Sequence, residues 1–422
     1  MSRVLVDSGI GYIGKIPNSW NVYRIKNAFK CKKRIVNDKW NNTQLLSLTT
    51  SGVKEKDIEN PNGKLPESFE GYQFFDKNNL IMCLFDLDCS AVFSGISKYS
   101  GMISPAYKVL ECKDKMFPDY AGYYFNYIGF DRKYMHYSKN IRYTLNYDEF
   151  SSLPILFPSL EEQKRIANYL DEKCFKIEEI IKDNNHEIEL LEEYKSNIII
   201  DTIKNGFKSN KEKKDSQIEW VETIPSNWDV NKIKYVCAFN PSYKEKFENI
   251  DIAGYIPMDL LKCGYAEPSE ILLDKAPTGL TSFIDNDVIM AKVTPCFENG
   301  EIAVVNNLKN GVGLGSSELF VFNCDKILNK YLMYILNNKL IRNIFASTMT
   351  GTGGLKRVSP EYVKNFRIPY PPIEEQNKIV KYLDKQCSRI NRVIEYRKQI
   401  IEKLEEYKKS LIYECVTGKR EV

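Results

Sequence analysis

The sequence predicts an α+β protein with a pseudo-twofold internal repeat: two globular domains joined by two long helices that form an antiparallel coiled coil. Three observations carry this. The segment PSLEEQKRIANYLDEKC (Pro158–Cys174) returns as PPIEEQNKIVKYLDKQC (Pro371–Cys387), 213 residues later. The lead-in DSGIGYIGKIPNSWNVYRIK (Asp7–Lys26) returns as DSQIEWVETIPSNWDVNKIK (Asp215–Lys234), 208 residues later. Each EEQ segment then opens a long run of apolar residues at helical spacing.

In chain order, residues 1–157 form the first domain, with short β-rich runs and Gly/Asn/Pro turns. Residues 158–205 form the first long helix. Ser159 and Glu162 make an S-x-x-E capping box at its start. Its stripe is Ile166, Leu170, Ile177, Ile180, Leu191, Tyr194 and Ile198. Residues 206–218, GFKSNKEKKDSQI, read as a polar linker, and 219–370 as the second domain. Residues 371–422 form the second helix. It has Pro372 in place of Ser159, which a first helical turn tolerates. Its stripe is Ile379, Leu383, Ile390, Val393, Ile400, Leu404, Tyr407 and Leu411. Asn184 and Arg397 fall at equivalent stripe positions, where a polar residue fixes register. The middles, 27–157 and 235–370, share a style but no alignable pattern, so the frame is kept and the inserts differ.

A short linker brings the second helix back along the first. Charge agrees: the first helical region, 158–218, has 11 basic against 14 acidic residues, and the second, 371–422, has 12 against 9. The domains themselves are near balance, 21 against 16 and 16 against 17. About 40 helical residues span roughly 60 Å, against about 34–36 Å for one turn of duplex DNA.

The composition also excludes. Of 422 residues, 43% are hydrophobic and 12% aromatic, enough for real cores. No apolar run reaches the roughly 20 residues that span a bilayer. The start lacks a secretory pattern, so a cytoplasmic setting with free thiols is expected for the eleven scattered cysteines. There are only two histidines, His136 and His186. A histidine-based catalytic site or a zinc centre therefore has little to work with, and no metal is expected. NPSY (Asn240–Tyr243) is similar to the NPPY of adenine methyltransferases, but no Gly-rich cofactor loop precedes it. TGTGGLKR (Thr350–Arg357) lacks the G-K-[ST] of a P-loop.

The paired lead-in IP-x-x-W-x-V-x-x-I-K and the paired P-x-x-EEQ-x-x-I-x-x-YLD start resemble the specificity subunits of type I DNA restriction–modification systems. So do DNDVIMAKVTPCFENGEIAVVNN with GLGSSELFVF (Asp285–Phe322) and TGTGGLKRVSPEYVKNFRIPYPPIEEQ (Thr350–Gln376). The first domain fits only in outline; SKNIRYTLNYDEFSSLPILFPSLEEQ lacks the Gly-rich turn of the second. The resemblance implies a non-catalytic chain with two target recognition domains, each reading half of a split site in double-stranded DNA. It implies helices that set the spacing and dock two modification subunits for adenine N6 methylation. It also implies restriction subunits, the motor-nucleases. The chain itself then binds no cofactor. S-adenosylmethionine belongs to the modification subunit, and ATP and magnesium to the restriction subunit. Residues alone leave a rival, a coiled-coil scaffold with two binding domains and no DNA role.

Within that resemblance the candidate DNA contacts in the second domain are Lys292, Thr294, Asn299, Ser316, Ser317, Glu318, Lys356 and Arg357. In the first domain they are Lys139, Arg142 and Tyr143, with the basic run Lys30–Arg34 as a phosphate contact. For partner docking they are Glu161, Glu162, Gln163, Glu374, Glu375 and Gln376. Acidic residues suit a helix N-terminus, but the dipole does not require the glutamines.

Overall fold

The repeated lead-in folds into the same hairpin twice, and its repeated residues show why. The structure is a computed structural model. It describes residues 3–49, 52–57, 66, 68–88, 94–130, 132–138, 143–207, 212–352 and 354–422. Leu5–Asp7 pairs antiparallel with Lys15–Pro17, and Lys213–Ile218 with Val221–Pro225. The repeated aspartate makes the turn. Asp7 Oδ1 accepts from Gly9 N–H and Asp215 Oδ1 from Gln217 N–H, and the accepted residues both have positive φ. Ile16/Ile224, Trp20/Trp228 and Ile25/Ile233 are buried. Part of the stretch expected as linker is therefore strand, Lys213–Ile218, and its counterpart near the N-terminus is Leu5–Asp7.

The chain divides into two compact units, Met1–Asn184 with Lys398–Val422, and Asn185–Arg397. In the first unit a four-stranded sheet has the order Phe29–Lys32, Lys108–Cys112, Leu80–Met82, Ser94–Ile96. In the second the order is Ala238–Phe239, Leu319–Asn323, Val288–Ala291, Ile302–Val304. The two sheets have one topology. The helix Pro118–Phe130 follows in one, and Asn329–Asn337 in the other. Both inserts close identically: Pro154–Phe157 pairs with Asn21–Arg24, and Arg367–Tyr370 with Asp229–Lys232. The two middles, which share no alignable pattern, thus share a fold. The second unit adds a further four-stranded sheet, Ser269–Leu272, Ile252–Ile256, Val312–Gly315 and Thr281–Ile284.

The long helices are Leu160–Asn205 and Ile373–Val416. They run antiparallel in each unit, and the contacts repeat. Lys408 Nζ donates to Glu178 Oε1 at 2.5 Å in the first unit, and Lys195 Nζ to Asn391 Oδ1 at 2.9 Å in the second. Each residue of one pair lies 213 positions from its counterpart in the other. The buried or half-buried seam runs through Ile166, Leu170, Cys174, Ile177, Ile181, Asn184, Ile188 and Leu191. On the other helix it runs through Ile379, Leu383, Cys387, Ile390, Ile394, Arg397, Ile401 and Leu404. Each fully buried Ile or Leu contributes roughly 1.5–3 kcal/mol. Asn184 bonds Ile180 O of its own helix, and Arg397 pairs with Glu187. The expected stripe is corrected at Ile180, Val393, Tyr194 and Tyr407. All four are exposed, at 46%, 44%, 57% and 49%; Ile180 and Val393 each stand one residue before a seam position, and Tyr194 and Tyr407 one residue before the half-buried lysines Lys195 and Lys408.

Each helix also ends alike. Gly206 (φ +63°) packs on Trp228 and Gly418 (φ +72°) on Trp20; a Cβ at Gly418 would sit 2.4 Å from Pro17.

Candidate functional site

Three separate segments of the second unit meet on one face, and together they contain its eight candidate residues, seven of them joined by hydrogen bonds or exposed beside those that are. The first is the turn after strand Val288–Ala291. The second is the turn between strands Val312–Gly315 and Leu319–Asn323. The third is the hairpin Thr350–Thr352/Leu355–Arg357. Lys292 N–H donates to Glu318 O at 3.0 Å, and its Nζ to Ser317 O at 2.7 Å. Ser316 Oγ accepts from Glu318 N–H at 3.2 Å. Thr294 Oγ1 donates to Gly354 O at 2.8 Å and accepts from Lys356 N–H at 3.0 Å, so it staples the hairpin to the first turn. The hairpin needs Gly351: φ there is +149°, and a Cβ would lie 2.1 Å from Leu355 O. Gly353 lies outside the described residues.

Arg357 closes the cluster. Its Nε and Nη2 each donate to a different oxygen of Glu318, both at 2.8 Å. The Arg357 side chain is 49% exposed and that of Glu318 26%. The bond from Arg357 holds Glu318 below the usual carboxylate range, with help from Lys292 and against partial desolvation. Glu318 is thus engaged with an arginine. Lys356 is exposed beside it. Asn299 is exposed at the close of the first turn, its N–H on Pro295 O, and none of the bonds above includes it.

In the first unit Lys139 and Arg142 lie outside the described residues. Tyr143 is described, with φ +44° and its carbonyl accepting from Leu87 N–H at 3.1 Å. Within the basic run, Lys32 pairs with Glu111 at 2.6 Å. Arg34 pairs with Asp76 and lies 4.8 Å from the Phe74 ring centre. Lys30 and Lys33 are exposed.

The docking candidates separate into two kinds. Gln163 and Gln376 are buried. Gln163 Oε1 accepts from Phe117 N–H at 2.8 Å, and its Nε2 donates to Lys115 O and Pro158 O. Gln376 Oε1 accepts from Leu328 N–H at 2.9 Å and its Nε2 donates to Pro371 O. Each glutamine ties its helix start to the loop entering the domain's own helix, so its amide faces inward. Glu162 is buried against Arg3, and Ser159 Oγ accepts from Glu162 N–H as the capping pattern predicts. Glu375 accepts from Trp228 Nε1 at 2.9 Å. Glu161 and Glu374 are the exposed members.

Several rival features have internal roles. Asn240 Oδ1 of NPSY accepts from Val321 N–H, and Tyr243 OH donates to Asp287, whose carboxyl burial pushes upward in pKa. A cleft of about 770 Å³ in the first unit is lined by Asp119, Asn126, Arg132, Glu178 and Lys408, a mixture of signs. Its Tyr123–Asp171 bond, 2.7 Å, recurs in the other unit as Tyr334–Asp384, also 2.7 Å. Both histidines are exposed. No described helix is long and apolar enough to cross a membrane. The described residues hold no group of three or more His, Cys, Asp or Glu fit for a metal.

The reading of residues missed the outward pairs Ile180/Tyr407 and Val393/Tyr194, which it had counted as seam. In an antiparallel pair, residues one position before the seam on each helix flank it on the same side. Each unit carries one such pair, matched at 213 residues.

Comparison with known proteins completes the picture. Residues 225–406 match the family described as the type I restriction modification DNA specificity domain. The chain is 33% identical over 162 residues to the specificity subunit of the type I restriction enzyme EcoAI of Escherichia coli, covering 37% of this chain and 27% of that one. It is 31% identical to the EcoEI specificity subunit of the same organism over equal shares. The chain thus spans about a quarter of the length of these curated relatives. It is 22% identical to the MjaVIII specificity subunit of Methanocaldococcus jannaschii, over 96% of this chain and 94% of that one. A solved chain from work on assembly and conformational transition of the type I R-M system shares the fold. Its TM-score is 0.67 at 14% identity, over 96% of this chain and 99% of that one.

Proposed function

From the match of residues 225–406 to the type I restriction modification DNA specificity domain and the repeated frame, we propose that the chain is a specificity subunit of a type I restriction–modification complex, the non-catalytic subunit that reads DNA. Each variable domain reads one half of a bipartite site in double-stranded DNA. The long helices set the distance between the halves and dock two modification subunits, which use S-adenosylmethionine to methylate adenine N6. Restriction subunits add cleavage driven by ATP and magnesium. One observation carries this reading: a frame repeated at matched positions holds two inserts built on one four-stranded sheet topology, with turns of different sequence. A kept frame with changed loops suits two readers of different sequence.

The cluster of Lys292, Thr294, Ser316, Ser317, Glu318, Lys356 and Arg357 is the second domain's candidate DNA face. It combines exposed cations with backbone held by hydrogen bonds, which suits phosphate positioning and base reading together. Asn299 and, in the first domain, Lys139, Arg142 and Tyr143 remain candidate contacts. For docking, the exposed pairs Ile180/Tyr407 and Val393/Tyr194, with Glu161 and Glu374, suit two copies of one partner, because each unit offers the same set.

The test is co-expression with the cognate modification subunit and long-read mapping of methyladenine on random DNA. The expected result is a split motif with methyladenine on both strands. Exchange of residues 27–157 for another such domain then alters one half only. A stable complex that methylates no split motif refutes the two-reader proposal.

A further inference from the structure

The Arg357–Glu318 pair is built unlike a stabilising surface ion pair. Arg357 is half-exposed at the edge of a hairpin, where such pairs add little stability. Yet Glu318 is fixed at three points: its N–H on Ser316 Oγ, its carbonyl on Lys292 N–H, and both carboxylate oxygens on Arg357. Thr294 clamps the hairpin from the other side.

A guanidinium has two edges with parallel N–H pairs, the side edge Nε/Nη2 and the end edge Nη1/Nη2. Glu318 takes the side edge. The end edge, with Nη1 and the second hydrogen of Nη2, carries no partner among the described residues. Held this way, it projects a rigid two-donor fork whose orientation cost is met before any ligand arrives. In the major groove, guanine offers two acceptors, O6 and N7, that match such a fork. Adenine breaks the pattern with an N6 donor.

We propose that Arg357 reads a guanine in the half-site of the second domain, and that Glu318 is the positioning residue that aims it. This rests on the DNA-reading function above and names the base class that this site selects.

The test uses the full chain with its modification subunit and the mapped motif. The relevant half is the one that exchange of residues 235–370 alters. Each guanine of that half is replaced in turn by 7-deazaguanine, which lacks the N7 acceptor, and affinity is read by fluorescence anisotropy. One position is expected to weaken wild-type binding about tenfold, with no added effect in Arg357→Ala. Arg357→Lys keeps the charge but not the fork, and should lose selection at that position alone. Glu318→Gln should narrow discrimination between guanine and adenine at that position. Equal weakening on every duplex by Arg357→Ala assigns the contact to phosphate and overturns the proposal. A half-site without a responsive guanine overturns it while leaving the DNA reader intact. A wild-type complex that selects no site removes both.

Discussion

Gln163 and Gln376 are the residues for which the sequence offered no physical reason. Their neighbours in the EEQ triplet suit a helix dipole, but an amide needs another cause. The cause is long-range: each accepts a backbone N–H some fifty residues away, and sequence spacing carries no sign of it. Gln376→Ala leaves the part-buried Leu328 N–H without its acceptor and should cost about 1–3 kcal/mol in urea unfolding, whereas Glu374→Ala should change stability by under about 0.5 kcal/mol. The repeated Asp7 and Asp215 were visible as a repeat, and only the hairpin shows why an acid stands there. The tyrosine content has its own consequence. Tyr120, Tyr124 and Tyr331 are buried, and Tyr123 and Tyr334 donate to carboxylates; burial holds all five phenols well above their ordinary range. A folded-state pKa above the unfolded value means stability is complete below the ordinary phenol range and falls as pH rises beyond it. In an alkaline titration, the phenolate absorbance of these five should appear together with loss of the far-UV circular dichroism signal, not before it.

At the scale of elements, the long helices and their antiparallel pairing were legible, and the seam only in part. Ile180 and Ile181, Val393 and Ile394, and Ile400 and Ile401 are adjacent apolar pairs, so period alone cannot choose between members. The choice is made by the entry of each helix. Ile166, Leu170 and Cys174, like Ile379, Leu383 and Cys387, step by four twice before the seam settles into alternating threes and fours. Lys195 and Lys408 complete it by laying their stems along the seam and their ammonium groups on the facing helix. Ile394→Ala should therefore cost about 2–5 kcal/mol, measured by chemical denaturation, and Val393→Ala within about 0.5 kcal/mol. Ile180→Asp with Tyr407→Asp should keep the circular dichroism spectrum and thermal midpoint but reduce the modification subunits retained in size-exclusion chromatography from two to one. Retention of both removes this face from docking.

For the whole molecule, duplication could be read from two short motifs, and the shared topology of the inserts could not. Strand order depends on which runs pair. The pairing Lys108–Cys112 with both Phe29–Lys32 and Leu80–Met82 joins segments separated by turns of unrelated length in the two units. A length difference of five residues between frame copies is absorbed inside the inserts. Charge totals were equally blunt. The second domain's near balance hides a cluster in which Glu318 is tied to Arg357 while Lys356 stands exposed. Conversely, the basic run Lys30–Arg34 advertises itself in sequence, yet Lys32 and Arg34 are answered by local acids.

The scarcity of histidine has an environmental meaning. The cations of the second domain's face are Lys292, Lys356 and Arg357, side-chain types that keep their charge from about pH 6 to 8, where histidine does not. Drift of internal acidity over that span would leave grip on a polyanion unchanged. Dissolved salt would not, because every phosphate neutralised releases condensed counterions and the gain shrinks as their bulk concentration rises. In the proposed function, a rise or fall of salt would thereby loosen or tighten the hold on DNA, while a shift of acidity alone within that span would leave it as it was.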